Sequence, residues 1–273
     1  MKLYSIASGS SGNCICAGDN NTHILIDVGI SKKRIEDGLK EKNINPADLK
    51  GIFITHEHSD HICGLGVFSR KYNLPIYGTR ETIDYIKYQC SNINGGKGSL
   101  GNIDPSLFCE IEADKDFVLG DLTIKPFEIH HDAVHPVGYR IESGDKKVAV
   151  ATDMGHFDDY IVNNLKGLDA ILIEANHDIR MLETGNYPYV LKRRILGDKG
   201  HLCNEMCGRL LDLVLSNKMK QIFLGHLSQE NNFPHLAYES VRSEINLSES
   251  EFKADDFPME VAKRDCPSSY FEF

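Results

Sequence analysis

The chain alternates strand-sized apolar runs with stretches of helical spacing. Leu3–Ala7, Cys14–Ala17 and Thr22–Asp27 read as short strands joined by Gly- and Asn-containing turns. Ser31 can cap a helix reaching about Lys42. Gly51–Thr55 is an apolar strand, Ile62–Tyr72 a helix and Pro75–Tyr77 a short strand. Thr79 caps a further helix to about Tyr88. Ser91–Asn102 is rich in Gly and Asn and reads as a loop, or a lid if it lies near a site. Strands follow at Phe117–Leu119, Leu122–Ile129, Val137–Ile141, Lys147–Ala151 and Asp169–Glu174. Helices come at Tyr189–Leu196 and Asn204–Ser216. The strand Gln221–Leu224, a helix near Pro234–Asn246 and a β segment around Met259–Arg264 complete the pattern.

Strands with helices, then strands with helices again, suit two similar halves packed as an αββα sandwich. A doubly wound α/β sheet fits the pattern equally. The 273 residues allow one large α/β domain or two small ones. No internal repeat or low-complexity segment stands out.

Composition narrows the class. The chain is 41% hydrophobic and 26% charged, as in soluble globular proteins. Apolar runs such as Ala170–Ile173 are far too short for a membrane span, so no membrane partner is expected. Met1–Ala7 leads into Ser-Gly turns without a basic region and apolar stretch, so no signal peptide is expected. The eight cysteines are irregularly spaced, contain no CxxC pair and read as reduced thiols of a cytosolic protein. A net charge of −10 excludes a generally basic nucleic-acid coat. It leaves room for a nucleic-acid enzyme whose positive charge is local.

The chemistry concentrates in Thr55-His-Glu-His-Ser-Asp-His61, directly after an apolar strand. His56, His58, Asp60 and His61 are good ligands for zinc, manganese or iron, and a loop leaving a strand can turn them to one point. An HxHxDH string arises by chance on the order of once in a thousand chains of this size. Other strands end the same way. Asp27 follows Ile24–Ile26, Asp153 follows Lys147–Ala151, and His226 follows Ile222–Leu224. After Ile129, His130, His131 and His135 compete for a corresponding role. Strand ends are where α/β folds place their sites.

The ordered series Asp27, His56-x-His58-x-Asp60-His61, His131, Asp153, His226 resembles the five motifs of the metallo-β-lactamase superfamily, across almost the whole chain. The resemblance implies one αββα domain over residues 1–273 and two divalent ions: zinc, manganese or iron. It implies His56, His58 and His131 on one ion and Asp60, His61 and His226 on the other. Asp153 would bridge them and Asp27 would orient the loop from behind. Two such ions sharing a water would lower its pKa and supply a hydroxide nucleophile, with Asp60 among the catalytic groups. True β-lactamases of this fold often carry Cys at the bridging position, so Asp153 argues against antibiotic hydrolysis.

The substrate signal lies downstream. Lys192, Arg193, Arg194 and Lys199 form the densest basic stretch, just before His201. Such groups hold phosphate backbones without reading sequence. Gly200-His-Leu-Cys-Asn204 opens a helix, whose N-terminus can bind an anion. His201 is placed there to contact a scissile phosphate or protonate the leaving oxygen. Asn204 is a further candidate phosphate contact. Ser8-Gly-Ser-Ser-Gly-Asn13 reads either as a backbone nest for phosphate, with Ser10 and Asn13 as contacts, or as a hairpin turn.

Ser8–Asn13, His131-Asp-Ala, Glu174-Ala-Asn-His-Asp178, Gly200–Asn204, His226-Leu-Ser-Gln-Glu-Asn-Asn232 and Val261-Ala-Lys-Arg-Asp265 resemble the YycJ/WalJ (VicX) group of that superfamily. Cys203 stands where the group often has Ser. This resemblance implies a cytoplasmic 5′→3′ DNA exonuclease linked to mismatch repair, with DNA as partner. Three alternatives remain open. Ribonuclease Z-like RNA processing needs a long arm that Ser91–Asn102 is too short to form. A glyoxalase II-type (thio)ester hydrolase ends in a helical domain, where this chain ends in strand-like sequence. A non-catalytic regulator has no need of an intact ligand set. Oligomeric state is not indicated.

Overall fold

A computed structural model describes residues 1–90 and 99–273 of the chain. Positions 91–98 of the predicted Ser91–Asn102 loop lie outside the described residues. The strands, in chain order, are β1 (Lys2–Ala7), β2 (Cys14–Gly18), β3 (His23–Ile26), β4 (Gly51–Phe53), β5 (Ile76–Thr79), β6 (Phe108–Ile111), β7 (Phe117–Leu119), β8 (Leu122–Glu128), β9 (Val137–Ser143), β10 (Lys146–Ala151), β11 (Ala170–Glu174), β12 (Gln221–Gly225), β13 (Met259–Val261) and β14 (Phe271–Glu272). The helices are α1 (Lys32–Glu41), α2 (Ser59–Ile62), α3 (Leu65–Tyr72), α4 (Arg80–Cys90), α5 (Asp159–Leu165), α6 (Ile179–Thr184), α7 (Tyr189–Ile195), α8 (Asn204–Val214) and α9 (Pro234–Leu247).

The strands form two seven-stranded sheets, ordered β14-β1-β2-β3-β4-β5-β6 and β13-β12-β11-β10-β9-β8-β7. Both change from antiparallel to parallel part-way across. In the first, β1, β2 and β3 pair antiparallel and β3 to β6 parallel. In the second, β7 to β10 pair antiparallel and β10 to β13 parallel. The C-terminal β14 returns to pair with β1.

Side-chain alternation explains the layering. Ile24 and Ile26 face the second sheet, where Ala170, Leu172, Tyr139 and Phe223 meet them. Leu25, between them, packs with Ile35, Leu39, Phe68 and Ile83 of the outer helices. Likewise Ile171 and Ile173 pack against Ile161, Leu210 and Val241. Each central strand is thus buried on both faces, as its near-continuous apolar sequence requires. The result is an αββα sandwich. The Tyr139 hydroxyl donates to the Ile54 carbonyl at 2.6 Å and so ties the second sheet to the strand end that carries the histidine cluster.

Some elements escaped the sequence pattern. Helices α5 and α6 are short, although Asp158 and Asp178 cap them by accepting from the Ile161 and Met181 N–H groups. Strand β6 is an edge strand with little buried surface. Strand β13 stops at Val261, before the predicted Arg264, whose side chain reaches the loop after β1.

Candidate metal centre

Asp27 and His226 directly follow the buried strands β3 and β12, Asp153 stands two residues beyond the end of β10, and each adopts left-handed backbone, with φ of 59°, 55° and 63° in that order. Non-glycine residues in this region are strained and collect at functional positions. The turn swings each side chain over the end of its sheet. Gly29 permits the loops to close on one another, since a Cβ there would fall 1.6 Å from the Asp60 carbonyl oxygen.

The ring nitrogens divide their roles consistently. His61 Nδ1 lies 2.7 Å from Asp27 Oδ2, and His226 Nδ1 lies 2.9 Å from Glu174 Oε1. His131 Nδ1 faces the Gly200 carbonyl at 3.0 Å, and His56 Nδ1 lies 3.0 Å from the Thr55 hydroxyl. Thr55 in turn donates its N–H and hydroxyl to Asp27. One nitrogen of each ring is thereby held and the other directed inward, the arrangement that fixes the tautomer of a metal ligand. Inside, His131 Nε2 lies 3.2 Å from His58 Nδ1. Asp153 lies 3.3 Å from His61 Nε2 through Oδ2, and 3.4 Å from His226 Nε2 through Oδ1. Asp60 Oδ2 lies 3.3 Å from His226 Nε2.

These atoms fit cations. His56, His58 and His131 form one cluster of ligand atoms within 4.8 Å of one another, and Asp60, His61 and His226 form a second. Asp153 joins His56 and His61 in one further grouping and Glu174, His201 and His226 in another. His56 Nε2 and Asp153 Oδ2 are buried without a hydrogen-bond partner. Such orphans cost free energy unless something binds them. Electrostatics agree. Burial holds His56 and His131 below the ordinary imidazole range, which keeps them neutral. Burial acts the same way on His226, but Asp153, Asp60 and Glu174 overcome it and push the ring up to about 10. Burial likewise opposes ionisation of Asp153, yet His226 and His61 hold it well below the usual carboxylate range. The carboxylate side of the centre attracts positive charge.

A family described as the beta-lactamase superfamily domain matches residues 22–219. The chain belongs to the metallo-β-lactamase superfamily. It is 39% identical to exodeoxyribonuclease YycJ of Bacillus anthracis over 86% of this chain and 86% of that protein. It is 41% identical to exodeoxyribonuclease WalJ of Streptococcus pneumoniae over 90% of this chain and 88% of that one. The solved metallo-β-lactamase fold protein YhfI of Bacillus subtilis superposes with a TM-score of 0.67 at 16% identity, covering 98% of both chains.

Within this superfamily member, the three rival histidines separate cleanly. His130 stacks on His156 at 4.0 Å and faces Asp158 at 3.1 Å. His135 lies between Glu81 and Glu128. His131 alone of the three groups with His56 and His58.

The predicted phosphate contacts fare unevenly. Arg194 forms a bidentate pair with Asp132, next to His131, with Nη2 to Oδ1 at 2.8 Å. Arg193 and Lys199 are exposed. Lys192 donates instead to the Glu183 carbonyl at 2.8 Å. Asn204 is not a phosphate contact. It is fully buried, its amide exchanged with that of Asn232 at 2.8 and 3.2 Å. Asn13 is likewise fully buried, accepting from Gly9 N–H and lying 3.2 Å from His61. Ser8–Asn13 is not an open nest, because the N–H groups of Ser8, Gly9, Ser10, Gly12 and Asn13 are spent on protein acceptors. Ser10 itself is exposed. His201 precedes α8 on an extended segment rather than at its first turn, with Nδ1 2.8 Å from Glu174 Oε1 and 3.5 Å from Asp153 Oδ1.

Glu174 is the residue that sequence reasoning missed. Its two oxygens meet His201, His226, and the N–H groups of Met154 and Leu202. The signal was available, since Glu174 ends an apolar strand just as Asp27, Asp153 and His226 follow theirs.

Proposed function

We propose that this protein is a metal-dependent nuclease that removes nucleotides from DNA ends, and that its centre holds two divalent ions. The observation that carries the reading is the convergence of His56, His58, Asp60, His61, His131, Asp153 and His226 in overlapping clusters of ligand atoms, with His56 Nε2 and Asp153 Oδ2 buried and left without a hydrogen-bond partner. High identity to two exodeoxyribonucleases over most of the chain supports DNA as substrate. The basic segment Lys192–Lys199, in a chain of net charge −10, supports a phosphate-rich ligand. No described helix is long and apolar enough to cross a membrane.

In this reading His56, His58 and His131 hold one ion and Asp60, His61 and His226 the other. Asp153 would bridge them, its Oδ2 near His61 and its Oδ1 near both His226 and His131. The mixed nitrogen and oxygen set suits zinc, manganese or iron. When bound, the ions supply an acidified water as nucleophile and neutralise charge on phosphoryl oxygens. The chain's residues do the rest. Asp27 and Glu174 orient His61 and His226 through Nδ1. Asp60 is the more open of the two ligand carboxylates, with 23% of its side chain exposed, and would be the group to accept a proton. His201 is steadied by Glu174 through Nδ1–H, and in its doubly protonated form it would donate the Nε2 proton to the leaving oxygen. Ligands come from both sheets, so residues 1–273 act as one unit.

End-labelled single- and double-stranded DNA and RNA, incubated with Mn²⁺ or Zn²⁺, test the reading. Labelling either end reports the direction of digestion, expected to be 5′→3′. Asp153→Ala and His58→Ala should abolish DNA cleavage while circular dichroism remains native. Unchanged DNA cleavage by both variants would refute it, and cleavage of RNA alone would move the activity to RNA processing.

A further inference from the structure

A pocket of about 540 Å³ opens beside the metal centre, lined by residues on either side of the loop that follows His226. Its wall begins at Leu227, the residue after His226, and includes Ser8, whose hydroxyl accepts from the His226 N–H at 2.8 Å. Leu227, Phe233, Pro234 and Ala262 make much of it apolar. Phe233 stands at the start of α9 with 49% of its surface exposed.

Arg264 lies at the rim. Its Nη1 donates to the Ser11 hydroxyl at 2.9 Å and its Nη2 to the Leu227 carbonyl at 2.6 Å. Gly9 lets the guanidinium approach the loop, since a Cβ there would come within 2.8 Å of Nη1. The group is half-buried, and among the described residues no carboxylate pairs with it. Burial lowers its pKa from the ordinary guanidinium value. A guanidinium has five N–H donors in a fixed fork, and the two bonds above leave others for an anion. Ser11 is exposed beside it.

We propose that this pocket receives one nucleotide of the substrate strand, its phosphate held by Arg264 and Ser11 and its base stacked on Phe233. The assignment rests on the nuclease reading and specifies where the strand goes. A cavity of this size suits a small ligand rather than a lone anion. Every base offers a π-face to an aromatic wall, so such a subsite is tolerant of sequence. Ser228, Gln229 and Asp265 supply polar groups for the base edge. The pocket begins one residue after His226, so a nucleotide seated there would lie next to the metal centre.

The test uses the metal-loaded full chain. DNA carrying 5-iodo-2′-deoxyuridine near its end is bound, irradiated and mapped by mass spectrometry, with an adduct expected at Phe233. Phe233→Ala and Arg264→Gln should each raise KM for DNA about tenfold with kcat little changed, because they alter positioning rather than the ions. They should also weaken competition by a deoxynucleoside 5′-monophosphate. If Arg264→Gln fails to fold, the exposed Phe233 keeps the question open to test. Hydrolysis of bis(p-nitrophenyl) phosphate by the unaltered protein reports the metal centre alone, and its absence overturns the nuclease reading itself. Hydrolysis accompanied by adducts only around residues 187–199, or by an unchanged KM in Phe233→Ala, overturns the pocket and leaves the nuclease standing.

Discussion

Replacing Glu174 by Gln tests how one buried carboxylate supports two histidines at once. Oε1 lies 2.8 Å from His201 Nδ1 and 2.9 Å from His226 Nδ1. Oε2 lies 2.8 Å from Met154 N and 3.2 Å from Leu202 N. Burial opposes ionisation of Glu174, but His201 and His226 bring its pKa to about 2, so it is a carboxylate at neutral pH. A carboxylate only accepts, so both rings must present Nδ1–H to it. Glutamine has one accepting end and one donating end. Whichever way the amide turns, its NH₂ faces two donors. If it faces the backbone, Met154 and Leu202 N–H are orphaned; if it faces the rings, the histidines lose their orienting contact. Two buried unsatisfied donors cost roughly 2–6 kcal/mol together. Loss of an outer partner of a metal ligand lowers metal affinity by about 10–100-fold. Metal affinity measured by competition with a chelating dye, together with urea unfolding of the metal-free protein, checks both numbers. Parental affinity and parental stability in Glu174→Gln would show that the bifurcated carboxylate has no such role.

Other predictions follow the same logic. Arg193→Gln and Lys199→Gln should weaken DNA binding regardless of sequence and flatten the plot of log affinity against log salt by about one per charge removed; an unchanged slope would place the DNA elsewhere. Tyr139→Phe removes a buried donor to the Ile54 carbonyl and should cost roughly 1–2 kcal/mol in urea unfolding; an unmoved midpoint would count against the tie. Lys71, Tyr72 and Lys32 hold the Glu36 pKa down from 4.5 to about 2, joining α1 to α3. A depressed carboxylate pKa contributes stability above about 4.5 that is lost as pH falls toward 2. Glu36→Gln should therefore be less stable than the parent at pH 7, by less than about 1 kcal/mol for so accessible a cluster, and equal to it near pH 2. A gap that persists in acid would assign the loss to packing.

By itself the sequence determined most of the strands and the places where polar residues leave apolar strands, while the strand pattern alone left the sandwich and a doubly wound sheet level. The strands and their polar ends are local features. A strand buried on both faces must be continuously apolar, and the residue that ends it must turn, so Asp27, Asp153 and His226 are visible from their neighbours alone. The spacing of His56, His58, Asp60 and His61 within one loop is local too. Tertiary structure decided what depends on distant partners. His131 rather than His130 or His135 joins the cluster because Asp158 and His156 hold one rival and Glu81 and Glu128 the other. Asn13 and Asn204, which look in sequence like phosphate contacts, are consumed by hydrogen bonds that only the packed loops bring within reach. Glu174 meets His201 and His226, 27 and 52 residues away, and Arg264 meets Ser11 across 253. Such pairings are set by how the two sheets stack, and no local pattern encodes them.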